Sequence, residues 1–89
     1  MDILWDEAKN AKVKASRGIS FEDVAQMILD KQYTAILENP ARPSQMVFVL
    51  RIKSYTYVVP FVVDKNDNIV LKTVFPSRKF HRIYGGKKS

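Results

Sequence analysis

Apolar residues recur along this chain at two different periods, and the switch between them divides it into a helical part and a β part. From Phe21 to Leu29 the apolar positions are Phe21, Val24, Ala25, Ile28 and Leu29. This is the i, i+3, i+4, i+7, i+8 spacing of an amphipathic helix with that face in the core. Ser20 offers a hydroxyl to cap its first turn, with Asp23 in the place that a capping box usually gives to Glu or Gln, and the helix is expected to stop near Asp30-Lys31. An earlier helix should start after Asp6, a second capping residue, and run to about Ala15. Leu4, Ala8, Ala11 and Ala15 give it a narrow face suited to close approach, with Lys9, Lys12 and Lys14 pointing elsewhere. Arg17-Gly18 should end it, because glycine readily takes the left-handed conformation of a helix C-cap. Ahead of it, Ile3-Leu4-Trp5 is a short apolar run able to pair at a sheet edge.

Beyond residue 32 the period falls to two. Tyr33 to Glu38 is partly β-branched and closed by Asn39-Pro40, which predicts an extended edge strand. The prolines of Asn39-Pro40-Ala41-Arg42-Pro43-Ser44 make that stretch a loop. Met46 to Lys53 then places Met46, Phe48, Leu50 and Ile52 on one face and Val47, Val49, Arg51 and Lys53 on the other. Tyr55 to Val63 and Ile69 to Phe75 follow, across connections (Lys53-Ser54 and Asp64 to Asn68) short enough for antiparallel hairpins. Pro60 inside the second of these strands removes a ladder donor, so it marks a bulge or the end of one neighbour. Amphipathic helices ahead of such a meander must bury their stripes on one sheet face. The expected fold is therefore an α+β domain, with two N-terminal helices on one face of an antiparallel sheet and a short basic helix at the C-terminus. The opposite face, with Arg51, Lys53 and Lys72, is left either to solvent or to a binding concavity on which those cations converge.

Charge changes the picture at one end only. The 89 residues carry a net charge of +6, yet residues 1 to 67 hold nine Lys/Arg and nine Asp/Glu, so the imbalance lies in residues 68 to 89, with six Lys/Arg and no acid. Val74 to Tyr84 leaves the last strand and becomes a basic segment in which Arg78, Lys79 and Arg82 alternate with Phe80, Ile83 and Tyr84, which would dock it. Such a field suits phosphates or an acidic partner. Lys87-Lys88 reads as a plain solubilising end. The size fits one domain, and no apolar run approaches the roughly 20 residues of a membrane helix. The acidic start lacks the basic flank and apolar centre of a secretion signal, which predicts a cytoplasmic protein without membrane contact. With no cysteine and one histidine, neither a metal centre nor another cofactor is expected.

Trp5-Asp6-Glu7-Ala8-Lys9-Asn10, then Arg17-Gly18-Ile19-Ser20-Phe21-Glu22-Asp23-Val24, then Ser77-Arg78-Lys79 with Tyr84 resemble the BrnT-like toxins of bacterial type II toxin-antitoxin modules, within the RelE/ParE superfamily of small basic proteins. The resemblance covers about residues 2 to 84. Arg17 stands where the family commonly has His, and Pro76-Ser77 where relatives often have a small residue before the Arg-Lys pair. The resemblance implies a single RelE/BrnT-like domain. It also implies a ribonuclease that cuts mRNA, on the ribosome or off it, and inhibits translation. A cognate DNA-binding antitoxin, often of ribbon-helix-helix type, would hold it silent and would alone contact operator DNA.

Metal-free RNA cleavage needs a base for the 2′-hydroxyl proton, cations for the phosphorane and an acid for the leaving 5′-oxygen. Arg78 is the first candidate for the phosphate clamp, since its planar fork donates two hydrogen bonds to phosphate oxygens. Lys79 and Arg51 are counted with it. His81 belongs to the residue type best suited to proton transfer near neutral pH. Arg82, Lys53, Lys72, Lys14 and Arg17 are candidates for RNA contact, the last two equally for complementing a helix dipole. Tyr84 either stacks on a base or pins the terminus, and Tyr55 and Tyr57 are base platforms or core residues. Two rival functions remain at this level: a ParE-like topoisomerase poison acting by protein contact, and a non-catalytic RNA-binding module.

Overall fold

The computed structural model describes residues 1–39 and 41–85; Lys87 and Lys88 lie outside them. In chain order the elements are β1 (Ile3–Leu4), α1 (Glu7–Arg17), α2 (Phe21–Leu29), β2 (Tyr33–Glu38), β3 (Met46–Ile52), β4 (Tyr55–Val63), β5 (Ile69–Leu71), β6 (Phe75–Pro76) and α3 (Arg78–Phe80), which continues as a π-helical turn over His81–Gly85. The expected α+β arrangement is present. Strands β2, β3, β4 and β5 form the antiparallel meander. The sheet as a whole is mixed rather than purely antiparallel, because β1 joins β5 in parallel.

Both N-caps act as their side chains suggest. Asp6 accepts from the backbone N–H groups of Ala8 and Lys9, and Ser20 from that of Asp23. Gly18 closes α1 at φ 69°, its N–H on the Lys14 carbonyl. The face that α1 buries is not the alanine face: Ala8, Ala11 and Ala15 are exposed, while Asn10 and Val13 are buried. Alanines offer little apolar area, whereas Asn10 forms a polar latch that no hydrophobic pattern reveals. Its Oδ1 accepts from Phe21 N–H at 2.8 Å, and its Nδ2 donates to Glu22 at 2.8 Å and to Glu7 at 3.3 Å. That contact, foremost, holds the Glu22 carboxyl below its ordinary range. Trp5 lies against Phe21 at 6.1 Å between ring centroids. The Trp-Asp-x-x-Lys-Asn and Gly-Ile-Ser-Phe-Glu segments therefore hold each other, and their role is to join the two helices.

From α2, Phe21, Val24 and Ile28 meet Phe48, Leu50, Val59 and Phe61 in one core. Each large side chain fully buried there contributes about 1.5–3 kcal/mol. Leu29, expected in that core, is 64% exposed at the last helical position. The β3–β4 connection is Lys53-Ser54, with φ 52° and 68°. Positive φ at both central residues is the type I′ turn, whose twist matches the strands it joins. Lys53 thus belongs to the turn rather than to the strand. Its register sets Ile52 opposite Tyr55 and Arg51 opposite Thr56.

The expected strand from Ile69 to Phe75 is two short strands. β5 pairs with Phe61 to Val63, and β6 with Tyr57 and Val58, so Pro60 falls in the gap between them, where β4 needs no donor. The face away from the helices is not left to solvent: Val47, Val49 and Val58 are buried on it. The chain returns across them through Phe75, Ser77 and Phe80. That return carries the basic segment over the sheet.

Candidate functional site

The C-terminal return is anchored at Thr56. Ser77 N–H donates to the Thr56 carbonyl at 3.0 Å, the Ser77 hydroxyl caps the next turn by accepting from Phe80 N–H, and His81 N–H donates to the Ser77 carbonyl at 2.9 Å. These bonds fix where the His81 ring lies. Its Nδ1 is 3.0 Å from Oγ1 of Thr56, which is itself 2% exposed. The ring stacks on Tyr55 with centroids 4.1 Å apart and planes 19° from parallel. The imidazole is thus held on one nitrogen and one face. A hydroxyl both donates and accepts, so Thr56 can serve the neutral ring and the protonated ring alike. Nδ1 is occupied inside, and Nε2 is the nitrogen left for a ligand.

Three arginines belong to the elements that hold this ring. Arg51 is the cross-strand partner of Thr56, and such partners project from the same face. Arg78 lies three residues before His81 and Arg82 four after Arg78, the spacing that puts helical side chains side by side. Both are exposed. Of the residues singled out from the sequence, Arg51 is set across the ladder from Thr56, and Arg78 and Arg82 share the turn that carries His81.

The others go elsewhere. Lys79 turns toward Phe80, its Nζ 5.8 Å from the ring centroid, and Tyr84 packs on the same ring at 6.1 Å while 40% exposed. Ile83, expected to help dock the segment, is 60% exposed. Lys14 pairs with Glu22 at 3.9 Å. Lys53 Nζ donates to the Gly18 carbonyl at 3.1 Å, where it completes the end of α1 beside Arg17. Lys72 lines a separate hollow with Lys9 and Arg42. Arg51, Lys53 and Lys72 therefore do not converge. The reason is the break between β5 and β6, which leaves Lys72 beside Pro60, four residues along β4 from Thr56.

Sequence reasoning missed Thr56 and the use of Tyr55. Both were reachable from loop length: a two-residue turn at Lys53-Ser54 sets Arg51 opposite Thr56, a polar position among apolar ones. Among the described residues no three His, Cys, Asp or Glu side chains gather as metal ligands would, and no helix is long and apolar enough to cross a membrane.

The architecture, paired helices on one face of a short meander and a basic C-terminal turn on the other, defines a class of small α+β domain. A solved structure of that class is the ribonuclease toxin BrnT of Brucella abortus, to which this chain is similar with a TM-score of 0.65 over 86% of this chain and 96% of that one, at 17% identity. No protein-family model and no curated protein matches the sequence.

Proposed function

We propose that the chain is a metal-independent endoribonuclease, the toxin of a type II toxin-antitoxin module, and that His81 with the arginines of its neighbouring elements is its active site. The observation that carries this reading is the fixed imidazole: Thr56 holds Nδ1 at 3.0 Å and Tyr55 supports one face, with Arg51 across the ladder from Thr56 and Arg78 three residues before His81. The shared fold with a protein described as a ribonuclease toxin supports it.

In this reading His81 Nε2 takes the proton of an RNA 2′-hydroxyl. The 2′-oxygen bonds to the adjacent phosphorus, and the bond from phosphorus to the 5′-oxygen breaks. That oxygen takes its proton from water, leaving a 2′,3′-cyclic phosphate and a 5′-hydroxyl. Arg78 and Arg51 hold the phosphorane oxygens, where charge grows most in the transition state. Arg82 and the more distant Lys79 raise the local potential. The substrate is mRNA and the consequence is inhibited translation. A cognate antitoxin of ribbon-helix-helix type covers the basic surface and carries the operator contact, as in the RelE/ParE superfamily.

Expression of the chain alone tests this. Growth arrest with cut transcripts is expected. Arrest with DNA damage and intact transcripts would instead mark a topoisomerase poison, and binding to RNA without cleavage a non-catalytic module.

A further inference from the structure

A hollow of about 430 Å³ opens beside Pro60, in the gap between β5 and β6. Cations reach it from three parts of the chain: Lys9 from α1, Arg42 from the loop before β3, and Lys72 from the link between the two short strands. No acid is among the described residues that line it. Its walls are tied together. Lys9 Nζ donates to the Lys72 carbonyl at 3.4 Å, and Lys72 N–H donates to the Pro60 carbonyl at 2.8 Å. Arg42 sits in a loop closed by its own N–H on the Asn39 carbonyl, by Gln45 N–H on the Arg42 carbonyl, and by the paired side chains of Asn39 and Gln45 at 3.0 Å. Phe75 presents its ring at the edge, 38% exposed.

This hollow runs into a second, of about 150 Å³, which shares Asn39, Pro60 and Phe75 with it and reaches Ser77 and Phe80 at the start of α3. From Pro60 back to Thr56, the partner of His81, is four residues of β4, or about 13 Å of strand. A trough beside β4 thus runs from the three cations to Ser77 and Phe80, on the turn that leads into His81. Glu38 is the acid on its rim.

We propose that the Lys9–Arg42–Lys72 hollow is a distal phosphate subsite for single-stranded RNA, which holds the chain about 13 Å from the bond placed at His81 and stacks a base on Phe75. The proposal rests on the reading of His81 as the cleavage point. Cations alone would accept any polyanion, but the exposed ring beside them needs bases splayed from their stack, which a single strand supplies and a duplex does not. The spacing corresponds to roughly two to four nucleotides, given about 3.4 Å per stacked step and more when extended. Affinity should therefore depend on length, favouring an oligomer that spans both ends of the trough.

The test uses uncleavable 2′-O-methyl oligonucleotides of two and six residues, with binding followed by fluorescence anisotropy over a range of salt. The hexamer is expected to bind the wild-type chain at least about tenfold more tightly than the dimer. Lys9→Ala with Arg42→Ala should bring the two within about twofold and make the salt slope of hexamer binding shallower by about 1.4, at about 0.7 per lost single-strand contact. In the wild type, hexamer but not dimer should shift the backbone amide resonances of Arg42, Lys72 and Phe75. A hexamer advantage that survives the double substitution, or none in the wild type, overturns the subsite. Should the double variant fail to fold, Glu38→Gln decides instead, with hexamer binding about twofold tighter expected and unchanged binding refuting the proposal. Because these probes cannot be cut, a chain that binds the hexamer as described but never cleaves RNA would overturn only the active-site reading.

Discussion

Replacing Thr56 with Val is the sharpest test of how His81 is held. The substitution keeps the branched shape of a side chain only 2% exposed, and removes the one oxygen that lies 3.0 Å from Nδ1. A buried hydrogen bond contributes about 0.5–1.5 kcal/mol net. If the bond is stronger by that amount in the transition state, when the ring has taken up the proton, than in the bound ground state, Thr56→Val lowers kcat roughly two- to tenfold, since about 1.4 kcal/mol is a factor of ten in rate. Whatever part of the bond already stabilises the resting fold is lost separately and lowers Tm by roughly 4–8 °C per kcal/mol in a domain of this size. His81→Ala should cost on the order of a hundredfold or more, the range of a general acid or base. Thr56 acts as a positioning residue through His81, so the two losses should not add. The assay is cleavage of a fluorogenic single-stranded RNA by the wild type, each single variant and the double variant. The double variant should match His81→Ala, and Thr56→Ser should recover most of the wild-type rate. A Thr56→Val loss of equal size with and without His81 would refute the arrangement, as would a folded Thr56→Val protein with undiminished activity.

Arg78→Ala should abolish cleavage and toxicity while shifting stability by less than about 0.5 kcal/mol, as exposed charges usually do; a toxic variant would remove Arg78 from the phosphate clamp. Asn10→Ala leaves the Phe21 N–H without its acceptor in a buried place, and should cost about 1–3 kcal/mol, seen as a Tm lower by roughly 5–20 °C. An unchanged Tm would show that the latch between the helices is dispensable. Two carboxyls set an acid limit. Asp64 is lowered from 3.8 mainly by the Asn68 N–H, with the Asn66 N–H and the Asn68 side chain adding to it, and Glu22 is lowered from 4.5 first by the Asn10 side chain. A folded value below the unfolded one means stability that is full above about pH 4.5 and declines as pH falls through the folded values. Urea midpoints should therefore drop at acid pH, and drop less in Asp64→Asn and Glu22→Gln; identical profiles would contradict the assignment.

Much of this fold is carried by short-range chemistry. The helix caps at Asp6 and Ser20, the left-handed Gly18 and the two-residue turn at Lys53-Ser54 are each decided by local backbone and side-chain needs, and the α+β class follows from the two hydrophobic periods. Pro60 signalled either a bulge or the end of a neighbour of β4, and the gap between β5 and β6 is such an end. The alanines of α1 misled because helical spacing identifies a stripe without weighing it. Three methyl groups bury too little area to compete with Val13 and the Asn10 hydrogen bonds.

The candidate site was half legible. Arg78, His81 and Arg82 share one basic turn, so their proximity follows from sequence separation alone. Thr56 and Arg51 are more than twenty residues away, and only the hairpin register and the crossing of the C-terminal segment bring them there. The same holds for Lys9, Arg42 and Lys72, which are far apart along the chain and meet at an interruption in the sheet. By itself the sequence determined the elements, their caps and the sign of the charge at the C-terminal end, because these depend on neighbours within a few residues. Which cations gather into a site, and which merely close a helix or face solvent, was decided by the tertiary structure, since strand order and the path of the final segment minimise a free energy summed over the whole core.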